Sequence, residues 1–289
     1  MDILMNYAFQ IIALGTALLA AVAAPVGALS VYKGQSLIGD AIGHATFPGV
    51  VLAFMAFSTR SPAVLLVGAM AAAAVTFFAI QAAHENTRVG LNANLAVFLS
   101  GFFGLGMVLK SFIQGNEAYR GASQAGLETY IFGQAAYMLE ADVKLIAFVA
   151  ALCAALLFAF YKELKVFVFD AEYARAVGLP VRLLQVLLPF LTIAVIGIGI
   201  KAVGAILISS FLIIPCVAAS QWSDNFSRVL FLSAVFGVVA ALAGTYVSTL
   251  EQGMSTGPSI ILAASAIAFL SMFFGKRGAF RKRGRREEA

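Results

Sequence analysis

The sequence predicts an all-α fold: a polytopic helical membrane protein of about nine transmembrane segments, with its N-terminus outside and its C-terminus cytoplasmic. Three observations carry that prediction. Of the 289 residues, 62% are hydrophobic and only 11% are charged, where a soluble domain carries about a quarter charged residues. Mean hydropathy is +0.95. The chain from Ile3 to Phe274 also divides into apolar pieces of roughly 20 residues, the length that crosses a hydrocarbon core.

In order, the pieces run over approximately 8–31, 35–57, 62–83, 92–112, 143–161, 184–201, 203–220, 229–249 and 258–274. The first lacks the basic flank of a signal peptide and follows an acid, Asp2, so it reads as a retained span that starts outside. The second is interrupted by Asp40 and His44. The third ends at the polar run HENTR, where His84 reads as a solvated residue. The fourth clusters Gly101, Gly104 and Gly106, and the second spaces Gly39 and Gly43 four apart; small residues at such spacing let membrane helices approach closely. Asn92 and Asn94 in the fourth receive no role. Ahead of the fifth, Leu127 to Tyr137 is a candidate partial or re-entrant helix, a form tolerated where it lines a protein cavity. The sixth and seventh meet at Lys201-Ala-Val-Gly204, so eight and ten spans are the alternatives to nine.

Charge sets the orientation. The formal net charge is +5, but the final stretch GKRGAFRKRGRREEA holds seven Lys or Arg and two Glu, which leaves the remainder balanced. Residues 1–275 form one transmembrane domain with a cytoplasmic loop at 162–182, and 276–289 form a basic cytoplasmic tail facing anionic headgroups. With the tail inside, Lys33, Arg88, Lys162, Lys165, Arg175, Arg182 and Arg228 fall inside too. Arg60, Lys110, Arg120 and Lys144 fall outside, mixed with Glu117, Glu128, Glu140, Asp142 and Glu251. The tail has neither the interleaved aromatics nor the fold signal of a nucleic-acid binder, so no nucleic acid is expected as a partner.

Several functions are excluded by what the motifs lack. There is no GxxxxGK[ST], no HExxH and no triad pattern, so the chain reads as a transport subunit rather than an enzyme. Cys153 and Cys216 lie apart in apolar stretches and suggest neither a disulfide framework nor a thiolate metal site. No permanently bound cofactor is implied.

Asp40 and His44 are the candidate site. An ionisable group inside a span costs about 2.5 to 3.5 kcal/mol on insertion scales, so one persists where a partner or a water-filled path compensates. At i and i+4 the two share a helical face, about 10 to 17 Å from the inner edge at Lys33 by helical rise. Three readings fit: a structural Asp–His hydrogen bond, a proton relay as in a proton-coupled secondary transporter, or a site for Mn(II), Fe(II) or Zn(II), which carboxylate and imidazole suit. Two ligands hold a transition metal poorly. A C2 dimer that brings this face to its axis would supply four, because a residue on a two-fold meets its own copy.

The longest polar interruption is YKELKVFVFDAEYARAVGLPVR. Asp170 is a suitable N-cap, Gly178 a suitable residue just past the helix and Pro180 a stop, which predicts a two-turn helix from Ala171 to Val177. Tyr173, Ala174 and Val177 are expected on one side, with Glu172 and Arg175 elsewhere. A capped amphipathic helix in such a loop suits docking onto a soluble partner.

Taken in order, SLIGDAIGHATFPGVVLAF, FDAEYARAVGLP followed by VRLLQ, VGAILISSFLIIPCVAA and STGPSIIL resemble the integral membrane permease of ABC importers for manganese, zinc or iron. The resemblance covers about residues 10 to 274 and leaves the tail aside. It implies two permease copies in the cell (cytoplasmic or inner) membrane, paired with cytoplasmic ABC ATPase subunits that hydrolyse ATP. An extracytoplasmic metal-binding protein would deliver the ion. By position Asp40 and His44 would face the translocation path, and Asp170, Ala171, Glu172, Tyr173, Ala174, Arg175, Val177 and Gly178 would contact the ATPase. Gly39, Gly43, Pro48, Lys201 and Pro215 fall at helix breaks or packing positions. Pro48 after the histidine is more like the manganese and iron members, so Mn(II) leads as cargo, with Zn(II) and Fe(II) as alternatives.

Overall fold

The computed structural model describes residues 6–59, 61–116, 133, 135, 138–250 and 254–276, with backbone only for Lys201. Nearly all of the basic tail, most of the candidate re-entrant stretch, and Arg60, Arg120, Glu117, Glu128 and Glu251 lie outside the described residues.

Ten helices are assigned among the described residues: α1 Tyr7–Tyr32, α2 Ile38–Phe57, α3 Pro62–Asn86, α4 Leu91–Gly115, α5 Glu140–Ala159, α6 Tyr161–Phe169, α7 Ala171–Ala176, α8 Val181–Ser220, α9 Phe226–Leu250 and α10 Thr256–Phe274. Among the described residues nine stretches are long and apolar enough to cross a membrane, because α8 contributes two, Val181–Ile200 and Ala202–Ser220. Near the start of the second, Gly204 interrupts the helix at φ 83°, ψ 166°, a conformation glycine adopts without a Cβ penalty. The turn is sharp. A Cβ on Gly199 would lie 2.6 Å from Ile208 Cδ1, whereas nine residues of straight helix would span about 13 Å. The break expected near Lys201 is thus centred on Gly204, and the backbone at Lys201 is helical.

The centre of the molecule is α1 against both halves of α8, with α9 and α10 on one flank, α2, α3 and α4 on another, and α5 beside α1 and α8. In lipid this association rests on close packing rather than on expulsion of water. Fully buried Leu19, Leu29, Ile42, Leu184 and Phe211 fill the main core. Gly27 of α1 and Gly39 of α2 both abut Leu212 of α8.

That shared contact sets the depth of α2. Residue 39 is level with residue 27, five positions above the Tyr32 end of α1, or about 8 Å by helical rise. The chain between is a turn rather than helix, with Gly34 at φ 78° and Gln35 N donating to the Ser30 carbonyl. Counted from Lys33, one residue beyond Tyr32, the same rise puts Asp40 at about 10 Å and His44 at about 16 Å.

The Tyr32 end also carries α6 and α7. The helix α6 was not expected. It begins where the backbone kinks at Phe160, and it buries Leu164, Phe167 and Val168 while exposing Lys162 and Lys165. Tyr32 meets Phe169 and Phe226 with ring centroids 5.6 and 5.2 Å apart, which ties α6 to the ends of α1 and α9. Lys33 lies under α6, its Nζ 4.3 Å from the Phe167 ring centroid. Burial lowers its pKa to about 8.

Candidate functional site

The site is built on the first turns of α2. Leu37 provides no side-chain cap, so a carboxylate in the first turn, Asp40, complements the unsatisfied N–H groups there. One turn on, His44 Nε2 lies 3.5 Å from Asp40 Oδ1. The Asp40 side chain keeps 32% of its surface and His44 19%, so the pair is reachable although nearly every neighbour on α2 is buried.

Contacts from α8 and α4 hold this face in place. Gly39 and Gly43 let α2 lie close against α8: a Cβ on Gly39 would be 2.6 Å from Leu212, and one on Gly43 3.1 Å from Ser209 Oγ. The Ser209 hydroxyl donates to the Ala205 carbonyl at 2.9 Å and sits 3.5 Å from the Gly39 carbonyl oxygen. On the other side Phe103 of α4 meets the His44 ring edge-on at 5.1 Å. Gly106 of α4 faces Phe47 and Pro48, where a Cβ would lie 2.5 and 3.0 Å away. Pro48 has no N–H, so the His44 carbonyl loses its ordinary helical donor. Pro215 is buried in the second half of α8, away from this cluster by one and a half turns from Ser209.

No group of three or more His, Cys, Asp or Glu capable of holding a metal occurs among the described residues. Among the described residues, Asp40 and His44 thus bring together one carboxylate and one imidazole. The other histidine, His84, stands exposed in the last turn of α3 rather than in a loop. Phe103 and Ser209 were not singled out from sequence, and Gly106 was noted there only as one of a glycine cluster. Only the glycine cluster of α4 hinted at the close crossing there.

The second feature is α7. Asp170 Oδ1 accepts from Tyr173 N at 2.8 Å. Gly178, at φ 82°, ends the helix with Gly178 N donating to Arg175 O and Leu179 N to Ala174 O, a Schellman closure. The helix stops at Ala176, one residue short of the expected Val177. Its faces also divide differently. Ala174 is fully buried, whereas Tyr173 and Val177 keep 57% and 51% of their surface, with Glu172 and Arg175 exposed beside them. A two-turn helix has too little surface for all three apolar residues to share one outward side while it also seats itself on its neighbours.

Residues 5–275 match the ABC 3 transport family. Among curated relatives, the manganese transport system membrane protein MntC of Bacillus subtilis is 37% identical over 265 residues, 91% of this chain and 60% of that protein. The chain thus spans about three fifths of that relative's length. The zinc transport system membrane protein TroC of Treponema pallidum is 35% identical over 275 residues, 95% of this chain and 91% of that protein. Among solved structures, a chain of PsaBC from Streptococcus pneumoniae in complex with Fab superposes with a TM-score of 0.81 at 26% identity, covering 99% of this chain and 96% of its own. These matches give no support to proton-coupled secondary transport, the alternative that Asp40 and His44 raised on their own. The chain belongs to the ABC 3 transport family, as a multi-pass protein of the cell membrane.

Proposed function

We propose that this chain is the membrane-spanning subunit of an ATP-driven importer of divalent transition metal ions, with Mn(II) the leading cargo and Zn(II) and Fe(II) the alternatives. The observation that carries the reading is the Asp40–His44 pair: two side chains with ligand chemistry 3.5 Å apart and partly open on the mostly buried first half of an apolar helix. Two copies related by a two-fold axis would bring two carboxylates and two imidazoles together, a donor set suited to these ions. In this reading the Tyr32 end is cytoplasmic, and α7 presents Tyr173, Val177, Glu172 and Arg175 to a separate ATPase subunit. An extracytoplasmic binding protein delivers the ion from the other side.

Ligand chemistry does not choose the metal. Most nitrogen and oxygen sites bind Zn(II) more tightly than Mn(II), so selection rests on which ion the binding protein presents and on how readily the site lets it go. The relatives divide in the same way, one from a manganese system and one from a zinc system.

The test is uptake of radioactive Mn(II) and Zn(II) into proteoliposomes that contain this chain together with a cognate ABC ATPase and metal-binding protein. Uptake is expected to need ATP and to fall at least about tenfold in Asp40→Ala and His44→Ala. Transport that proceeds without an ATPase subunit, or that survives both substitutions, contradicts the reading.

A further inference from the structure

A second cleft, of about 400 Å³, lies between α1, α5 and α9 and shares no lining residue with the Asp40–His44 face. Val22, Leu157, Leu230 and Phe231 give it apolar walls. Phe158 and Phe231 keep 79% and 69% of their surface, so the cleft opens sideways, toward the lipid that must surround these spans. Pro25 of α1 also lines it. Because proline lacks an N–H, the carbonyl of Ala21, another lining residue, loses its helical donor there.

One end of the cleft is polar. The Tyr161 and Ser227 hydroxyls hydrogen-bond to one another across it and join the start of α6 to the start of α9. Basic residues lie close to that pair in the chain. Lys165 stands one helical turn beyond Tyr161 on the same side of α6, Lys162 adjoins Tyr161 and Arg228 adjoins Ser227; all three are exposed. Glu163, between the two lysines, has its Oε2 buried and without a hydrogen-bond partner, turned from the solvent that Lys162 and Lys165 face. Asp224, ahead of α9, offsets part of this charge.

An apolar cleft open to lipid, closed at one end by hydroxyls and cations, has the polarity of a phospholipid. Long basic side chains at the end of a span reach to the headgroup layer, and each adds attraction for an anionic lipid. We propose that the cleft binds one anionic phospholipid of the surrounding bilayer. An acyl chain lies between α1, α5 and α9, and the phosphate sits on Lys162, Lys165 and Arg228 beside the Tyr161–Ser227 hydroxyls. Such a lipid braces the kink at Phe160 against α9, and so steadies the α6–α7 unit.

The test is native mass spectrometry of the full chain released from nanodiscs that contain phosphatidylglycerol and phosphatidylcholine in equal amounts. The wild type is expected to retain phosphatidylglycerol over phosphatidylcholine by about tenfold or more. Equal retention of the two lipids overturns the proposal without recourse to any variant. The triple variant Lys162→Gln, Lys165→Gln, Arg228→Gln is expected to lose the preference while its thermal unfolding midpoint in detergent stays near that of the wild type. Ala234→Phe, which narrows the cleft from α9, is expected to reduce retention of both lipids. Unchanged retention in Ala234→Phe overturns the location, and so does a shift in its oligomeric state, which would mean that a second copy of the chain occupies the cleft.

Discussion

At the scale of single residues, the account turns on side chains that an apolar helix tolerates only with a reason. Asp40 and His44 satisfy each other in part, but their exposure leaves lone pairs free for a third party. Replacing either one alone should weaken binding of Mn(II) by the purified protein strongly, because the proposed shared site loses two of its four donors either way, and replacing both should abolish it; titration by electron paramagnetic resonance would read this out. Lys33 makes a separate statement. Its folded-state pKa of about 8 lies below the ordinary 10.5, so the folded protein gives up that proton before the unfolded chain does. The charged form is therefore penalised below about pH 8, and the penalty is relieved as pH rises from there to 10.5. Thermal unfolding of the wild type in detergent is expected to gain stability over that window relative to Lys33→Met, which has nothing to titrate there.

At the scale of elements, the contacts that hold the site are helix crossings at small residues. Gly106 allows α4 to lie on Phe47 and Pro48 and so holds Phe103 against His44. Gly106→Leu is expected to cost about 1 to 3 kcal/mol by overpacking, lowering the thermal midpoint and loosening the Phe103–His44 contact. At α7, Asp170→Ala removes the cap bonded to Tyr173 N, at about 1 kcal/mol. Affinity for the ATPase subunit in a pull-down titration should fall modestly in that variant, and further in Tyr173→Asp, which changes the exposed surface itself.

How much of this was legible in the sequence differs by element. The spans were, within about three residues at each boundary, because lipid demands long apolar runs and polar residues mark their ends. So was α7, whose Asp170, Gly178 and Pro180 are local signals that act through the backbone. The helix α6 was not. Its Tyr-Lys-Glu-Leu-Lys start reads as a polar loop, and its helicity rests on burial of Leu164 and Phe167 against other elements, which no local pattern reveals. The i,i+4 spacing of Asp40 and His44 announced their shared face, but Phe103 and Ser209, distant in sequence, come beside them only through the crossings of α4 and α8 over α2. The reversal at Gly204 was visible as a place where two apolar pieces meet, yet the residue that makes it is glycine rather than the conspicuous Lys201.

At the scale of the whole molecule, the proposed two-fold assembly would account for both the Asp40–His44 pair and α7. It would make four ligands from two, and would give two ATPase subunits one α7 each. The least buried span, α4, stands beside the Asp40–His44 face, where a second copy would also cover it.

The most direct test of the central claim is the stoichiometry of Mn(II) bound by the purified permease in nanodiscs, read together with the nitrogen coupling in its electron spin-echo spectrum. The account predicts one tightly held ion for each pair of chains, with imidazole nitrogen coupled to it, and loss of both signals in His44→Ala. One ion for each single chain, or an ion that shows no imidazole coupling and persists in His44→Ala, would contradict it.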